Sequence, residues 1–138
     1  MSLSLDLAAI RNRFLDQWDR DAVLTVFENA GDQFGPADPD EKEPFVRFSI
    51  NPGSQAFAMG TGIYSQIGRV WLQVFIPAND GIAAGYALAD QFTAIFRDWR
   101  SDDGCVRTSD AMVTQIPGGE DGYYQINISV KWESLRRL

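Results

Sequence analysis

The chain has 138 residues, a common size for one domain, so the sequence predicts a single domain over residues 1–138. Hydrophobic residues make up 45% of the chain, which excludes a disordered protein, and neither a signal peptide nor a membrane-spanning apolar run is predicted. The formal net charge of −7 disfavours tight nucleic-acid binding, because affinity for a phosphate backbone comes largely from lysine and arginine.

The first predicted element is a helix over residues 5–18. Its apolar residues recur at helical spacing: Leu7, Ile10, Phe14 and Trp18. Ser4 is the predicted N-cap, and Asp6 suits the positive end of the helix dipole. A short strand over residues 23–27 is predicted next, since β-branched residues follow there without a helix signal.

The segment Asn29 to Pro44 is rich in glycine, proline and acidic residues, which predicts an exposed loop inserted between two strands. Alternating apolar and polar residues over 45–51 then predict a strand with one buried face. A turn is predicted at 51–54, because asparagine, proline, glycine and serine follow one another there. A strand interrupted by glycines is predicted over 55–66.

The strand predicted over 68–77 carries apolar residues on both faces, so we expect it to be central and covered on each side. Pro77 ends this strand because it has no backbone donor for the ladder. Asn79 or Asp80 is the predicted cap of the helix that follows over 82–100. The apolar residues of that helix form one narrow stripe: Gly85, Leu88, Ala89, Phe92, Ile95, Phe96 and Trp99.

Two further strands are predicted over 107–116 and 124–132, and the glycine-rich segment 117–122 joins them as a hairpin. The predicted order is therefore one helix, four strands, a second helix and two strands. Such an order is typical of an α+β fold. We predict a largely antiparallel or mixed sheet of about five or six strands, with both helices packed on one face.

The sequence contains no histidine, one cysteine and no glycine–lysine pair. Without histidine the chain lacks the commonest general base and zinc ligand. A single cysteine excludes an internal disulfide, and the missing glycine–lysine pair excludes a P-loop. We therefore predict a protein that is not an enzyme, with no catalytic residue, metal site or cofactor. Two acidic groups, Asp102–Asp103 and the cluster over 38–43, have the chemistry to bind a divalent cation or to act as acid and base, but both lie in predicted loops, where carboxylates are normally solvated. Cys105 is interpreted as a small buried hydrophobe, and Arg136–Arg137 as an exposed chain end.

Several aromatic residues are expected on the sheet face opposite the helices, among them Trp71, Phe75 and Tyr123. Two helices cover only one face of a sheet, so this surplus favours either a protein interface or a loop folded over the second face. The sequence leaves these two interpretations open. The candidate residues of a subunit interface are Phe57, Tyr64, Arg69, Trp71, Phe75 and Tyr123.

The segment from Gly68 to Pro77, followed by Gly81, the run Ala87–Asp90 and Phe96, resembles the tail terminator and minor tail proteins of long-tailed phages and prophages. In particular, it is similar to a small phage-related domain family of unknown function. The tryptophan-bearing first helix, the segment Phe27–Asn29 and the strand that follows Pro44 agree with that family too. The resemblance covers nearly the whole chain, although the 29–44 loop has no clear counterpart.

The resemblance implies an α+β structural protein of the virion with no catalytic residues. Members of the family form a ring, typically a hexamer, on the last ring of the tail tube, where they end polymerisation and present the head-joining surface. The implied partners are further copies of the chain, tail tube protein and a head-completion or connector protein, with no specific nucleic acid and no membrane. The implied location is the virion tail, after assembly in the host cytoplasm. A negative charge suits a channel through which DNA slides.

Two alternatives stay open at this point. One is a small-ligand-binding or enzymatic α+β domain, with a pocket between helix and sheet whose polar groups are Tyr64, Arg69 and Asp90. The other is a different head–tail connector component that has the same small fold.

Overall fold

A computed structural model describes residues 3–27, 43–58, 62–78, 81–116 and 122–137. The elements in chain order are helix α1 (Leu3–Gln17), strands β1 (Leu24–Phe27), β2 (Phe45–Ala58) and β3 (Ile63–Pro77), helix α2 (Ala83–Phe96), and strands β4 (Val106–Ile116) and β5 (Tyr123–Arg137). The five strands form one sheet in the order β1-β2-β3-β5-β4. β1 runs parallel to β2 and the other neighbours are antiparallel, so the predicted mixed α+β sheet is confirmed.

Both helices pack on the same face of the sheet, as the sequence predicted. The core-facing side chains of β3 are fully buried: Val70, Leu72, Val74 and Ile76. Phe14 of α1 stacks on Phe48 of β2 with ring centroids 4.0 Å apart, and Phe92 of α2 meets Phe14 edge-on at 6.0 Å. These three rings join α1, α2 and the sheet into a single hydrophobic core.

The predicted turn at 51–54 is wrong, because β2 continues through it as one strand. The pairing of β2 with β3 shifts register between Pro52 and Gln55, which is a β-bulge rather than a chain reversal. The Gln66 side chain holds the bulge by donating from Nε2 to the Gly53 carbonyl at 3.2 Å. The strand predicted over 55–66 is therefore the end of β2 and the start of β3, and residues 59–61 lie outside the described residues.

The helix ends also differ from the prediction. α1 begins at Leu3, so the predicted cap Ser4 lies within the helix. The N-cap of α2 is Ile82, which makes no side-chain capping hydrogen bond, while the predicted caps at 79 and 80 lie outside the described residues. α2 ends at Phe96 because the backbone turns away there, with Asp98 at a φ of 49°. Most of the predicted 29–44 loop, and residues 117–121 of the predicted hairpin, also lie outside the described residues.

Gly68 lies where β3 passes closest to its neighbouring strands. A Cβ atom at this position would meet the carbonyl oxygen of Asn51 and would lie 2.6 Å from the ring of the fully buried Trp132. We expect Gly68→Ala to lower the free energy of unfolding by about 1–3 kcal/mol, because neither the ladder nor the packed indole can yield without strain. Urea denaturation measures this change, with Ser65→Ala on the same strand as the control. An unchanged midpoint for Gly68→Ala would contradict the close packing.

Candidate functional site

The sheet face opposite the helices, here called the outer face, carries the odd-numbered residues of β3. The odd-numbered residues from 63 to 75 are half-buried, whereas their even-numbered neighbours on the core side are buried. β3 is the third of the five strands, which confirms that it is central. The pairing registers place residues of β2 and β5 beside those of β3 on this face: Phe45, Arg47, Tyr123 and Lys131.

An aromatic cluster occupies one end of the outer face. Phe45 and Phe75 stack with ring centroids 4.6 Å apart, and Tyr123 meets Phe45 edge-on at 5.3 Å. The guanidinium carbon of Arg47 lies 4.8 Å from the ring centroid of Phe75, a cation–π contact. Burial raises the pKa of the Tyr123 phenol, and the Glu43 carboxylate raises it further against the effect of a hydrogen bond from the Glu43 backbone. The cluster is thus a surface of mutually packed aromatic rings and one cation.

A groove of about 430 Å³ lies near the middle of the outer face. Its lining residues come from the β2 bulge and from the facing parts of β3 and β5: Asn51, Pro52, Gly53, Ile67, Gly68, Arg69, Trp71 and Lys131. Arg69 and Lys131 lie directly opposite each other across β3 and β5. The Arg69 guanidinium is held by a 3.0 Å hydrogen bond from Nη1 to the Ser129 hydroxyl. Adjacent cations favour an anionic partner, since like charges facing each other across strands repel.

Four of the six candidate interface residues lie together on the outer face: Arg69, Trp71, Phe75 and Tyr123. The other two, Phe57 and Tyr64, pair with each other on the core side of the sheet, with ring centroids 6.0 Å apart. Phe57 is 61% exposed, whereas Tyr64 is only 1% exposed. The structure therefore brings four of these residues to one surface and separates two from it. Their role in a subunit interface stays a prediction.

The polar pocket expected between helix and sheet is not formed by the three residues proposed for it. Tyr64 is buried on the core side, Arg69 lies on the outer face, and Asp90 is exposed on α2. The pleat of β3 causes this separation, because residues 64 and 69 point to opposite faces. Among the described residues no group of three acidic, cysteine or histidine side chains is placed to hold a metal ion. Neither described helix is long and apolar enough to cross a membrane.

The sequence missed a buried ion pair that joins the two ends of the chain. Asp6 of α1 is fully buried, and its Oδ1 accepts from Arg136 Nε at 2.6 Å and from the Ser134 hydroxyl at 2.9 Å. The Arg136 side chain is only 10% exposed, so the prediction of an exposed chain end is wrong for this residue. Burial alone would lower the pKa of Arg136, but its bonds to Asp6 and Asp103 raise it. No local pattern signals the pair, because its partners lie 130 positions apart.

Asp103 extends this network to the surface, so it is not simply solvated as the sequence suggested. Its Oδ1 accepts from the Ser101 hydroxyl at 2.6 Å and its Oδ2 from Arg136 Nη1 at 3.0 Å. Hydrogen bonds from Ser101 and the Cys105 backbone, followed by the contact with Arg136, lower the pKa of Asp103 to about 2. Cys105 itself is half-buried, not enclosed in the core as predicted. Asp102 is exposed, in agreement with its predicted solvation.

Comparison with known proteins relates the whole fold to a family. The model of the phage tail terminator protein family matches residues 7–132 of this chain. One solved structure is similar over 97% of this chain and 96% of its own length, with a TM-score of 0.65 and 22% sequence identity. At that identity the likeness shows a shared fold. No curated protein shows significant similarity to the chain.

Proposed function

This chain belongs to the phage tail terminator protein family, and from that membership we propose that it caps the tail tube as a single-domain ring subunit. The match over residues 7–132 confirms the resemblance seen in the sequence and supports a structural role in the phage tail. It also implies interaction with other tail or head components. A structural family indicates a protein that is not an enzyme. In the proposed role the ring, typically a hexamer in this family, ends tube polymerisation and presents the head-joining surface.

The observation that carries this proposal is the composition of the outer face. Trp71, Phe75 and Tyr123 stay half-exposed there, beside Arg47 and Arg69. Aromatic and arginine side chains are the types enriched at the centres of protein interfaces. Stacking and cation–π contacts already hold the aromatic cluster in place, so little side-chain entropy would be lost on binding. We infer that this face contacts another tail subunit, either tail tube protein or a further copy of the chain.

Tube assembly in vitro tests the capping function. Purified tail tube protein of the same phage is polymerised with and without the chain, and tube lengths are measured by negative-stain electron microscopy. We expect substoichiometric amounts of the chain to shorten the tubes and to leave added density, with the rotational symmetry of the tube, at one end. Unchanged lengths together with bare tube ends would overturn the proposal.

Trp71 is the strongest candidate anchor on the outer face. Trp71→Ala should raise the concentration needed for half-maximal capping by about tenfold or more, because tryptophans buried in an interface contribute the most binding free energy per residue. The same assay measures the effect, and a thermal melt checks that the variant is folded. Gln91→Ala, on the exposed side of α2, is the control and should cap like the parent protein. If Trp71→Ala caps normally, the outer face is not the contact surface.

A further inference from the structure

The edge strand β4 consists of two unlike halves. In its first half, Thr108 N donates to the Trp99 carbonyl at 3.0 Å, and the Val106 carbonyl accepts from Ser101 N at 2.9 Å. These bonds form an isolated antiparallel bridge between Arg100 and Arg107, which pairs the outer edge of the first half with residues 99–101. Three backbone groups of the first half that point away from β5 are therefore already bonded within the chain: the N–H and carbonyl of Val106 and the N–H of Thr108.

A β-bulge divides the two halves of β4. The register with β5 shifts between Ser109 and Ala111, and Asp110, the residue between them, has a φ of 32°. β4 stays paired with β5 on both sides of this bulge, which changes the local twist of the edge strand. The bulge therefore separates the first half of β4 from the residues that follow.

The second half, Ala111–Ile116, has outward backbone groups that no described segment pairs with. Thr108 lies opposite Trp132, and its N–H points away from β5. Hydrogen-bonding direction alternates from residue to residue along an antiparallel pair. The backbone N–H and carbonyl groups of the residues opposite Val130, Ile128 and Ile126 therefore point away from β5 as well. These residues are Ala111, Val113 and Gln115. Half of the amide and carbonyl groups in this segment are thus oriented to accept another strand.

The side chains of this half do not block such a strand. Residues 111–116 include no charge, no proline and no glycine. Met112, on the outer face, is 56% exposed, and Val113, on the helix side, is 47% exposed. Proteins normally protect edge strands with charges, prolines, bulges or covering segments, and the first half of β4 has several of these. Their absence from the second half indicates an edge that another chain completes.

The opposite edge of the sheet offers a matching strand. β1 is uncharged and half-buried over its 4 residues, and in the described part of the chain only β2 pairs with it. β1 is parallel to β2, and the three further steps across the sheet are antiparallel, so β1 and β4 run in opposite directions. If copies are repeated by rotation, β1 of one copy meets β4 of the next as an antiparallel pair, with the helices on the same side.

We propose that residues 111–116 of β4 bind β1 of a second copy of this chain, so that the sheet continues from subunit to subunit. The inference rests on the proposed ring, since a head-to-tail contact closes when the rotation closes. It leaves the outer face available for another tail component.

Disulfide trapping of the full-length chain tests the pairing. In a Cys105→Ser background, Met112→Cys is combined either with Val26→Cys or with Leu24→Cys. Leu24 is the preceding residue of β1 on the same face, so it tests a register shifted by two residues. Met112, Val26 and Leu24 all lie on the outer face. We expect mild oxidation to produce a ladder of dimers, trimers and larger species on a non-reducing gel. Met112→Cys paired with Gln91→Cys on α2 controls for random collision. The proposal is overturned if both β1 combinations give no more cross-linking than this control, or if Met112→Cys alone dimerises equally well.

A backbone variant separates strand pairing from simple proximity. Val113→Pro removes an outward N–H but no bond to β5, whereas Val113→Thr keeps that N–H. Added to the double-cysteine protein, Val113→Pro should reduce the cross-linked fraction at least about tenfold while the thermal midpoint stays near that of the parent, and Val113→Thr should retain the ladder. Equal ladders would overturn the proposal. If the double-cysteine protein without Val113→Pro caps tubes but forms no ladder, only this inference fails, whereas a ladder without capping contradicts the proposed function.

Discussion

Replacing Asp6 with alanine should lower the free energy of unfolding by about 3–5 kcal/mol, because it leaves a buried cation without its partner. Arg136 is only 10% exposed and would lose its 2.6 Å bond from Nε to Asp6. The Ser134 hydroxyl, also buried, would lose its acceptor. Arg136 would retain only its bond to Asp103 near the surface. Urea denaturation followed by circular dichroism measures the loss.

Three further variants define the origin of that loss. Asp16→Ala lies on the same helix at an exposed position and should change stability little. Asp6→Asn keeps an acceptor oxygen but no charge, so we expect an intermediate loss. Because Asp6 Oδ2 has no hydrogen-bond partner among the described residues, the pair is incompletely satisfied. The double variant Asp6→Leu/Arg136→Met should therefore be more stable than Asp6→Ala. If Asp6→Ala behaves like Asp16→Ala, the buried pair does not stabilise the fold.

Truncating Phe14 should cost a similar amount, about 3–5 kcal/mol, because the ring is the meeting point of α1, α2 and the sheet. Phe14 is fully buried and stacks on Phe48 at 4.0 Å and on Trp18 at 5.3 Å. It also meets Phe27 and Phe92 edge-on, at 6.1 Å and 6.0 Å. Phe14→Ala loses these ring contacts and leaves a cavity that four other rings line. The change in unfolding free energy is measured by denaturant titration.

Leu15→Ala provides the matched control for this truncation, since Leu15 is the next residue of α1 but is only half-buried. We expect Leu15→Ala to cost clearly less, because less apolar surface returns to water and no enclosed cavity forms. Phe14→Leu should lie between the two, as it keeps part of the volume. Equal losses for Phe14→Ala and Leu15→Ala would show that α1 is only loosely attached to the core.

The amino-acid sequence by itself determined those elements whose signal is local. The alternation along β3 and β5 and the single apolar stripe of α2 predicted which residues face the core, since side-chain direction follows from strand and helix periodicity. The same alternation placed Trp71, Phe75 and Tyr123 on the outer face. These surplus aromatic residues were therefore visible before the structure, as was the likeness to tail terminators that the family match confirms.

Only the tertiary structure decided features that depend on partners distant in sequence. The residues around Pro52 and Gly53 have turn preferences. However, β3 pairs with β2 on both sides of them, so β2 continues as one strand with a bulge. Asp6 resembles any first-turn carboxylate until folding brings Arg136 against it. The second half of β4 is distinguished from the first only by tertiary contacts, because the Arg100–Arg107 bridge pairs the first half alone among the described residues. For residues other than proline, local preference is worth about a kilocalorie per residue or less, so a long ladder or a buried charge outweighs it.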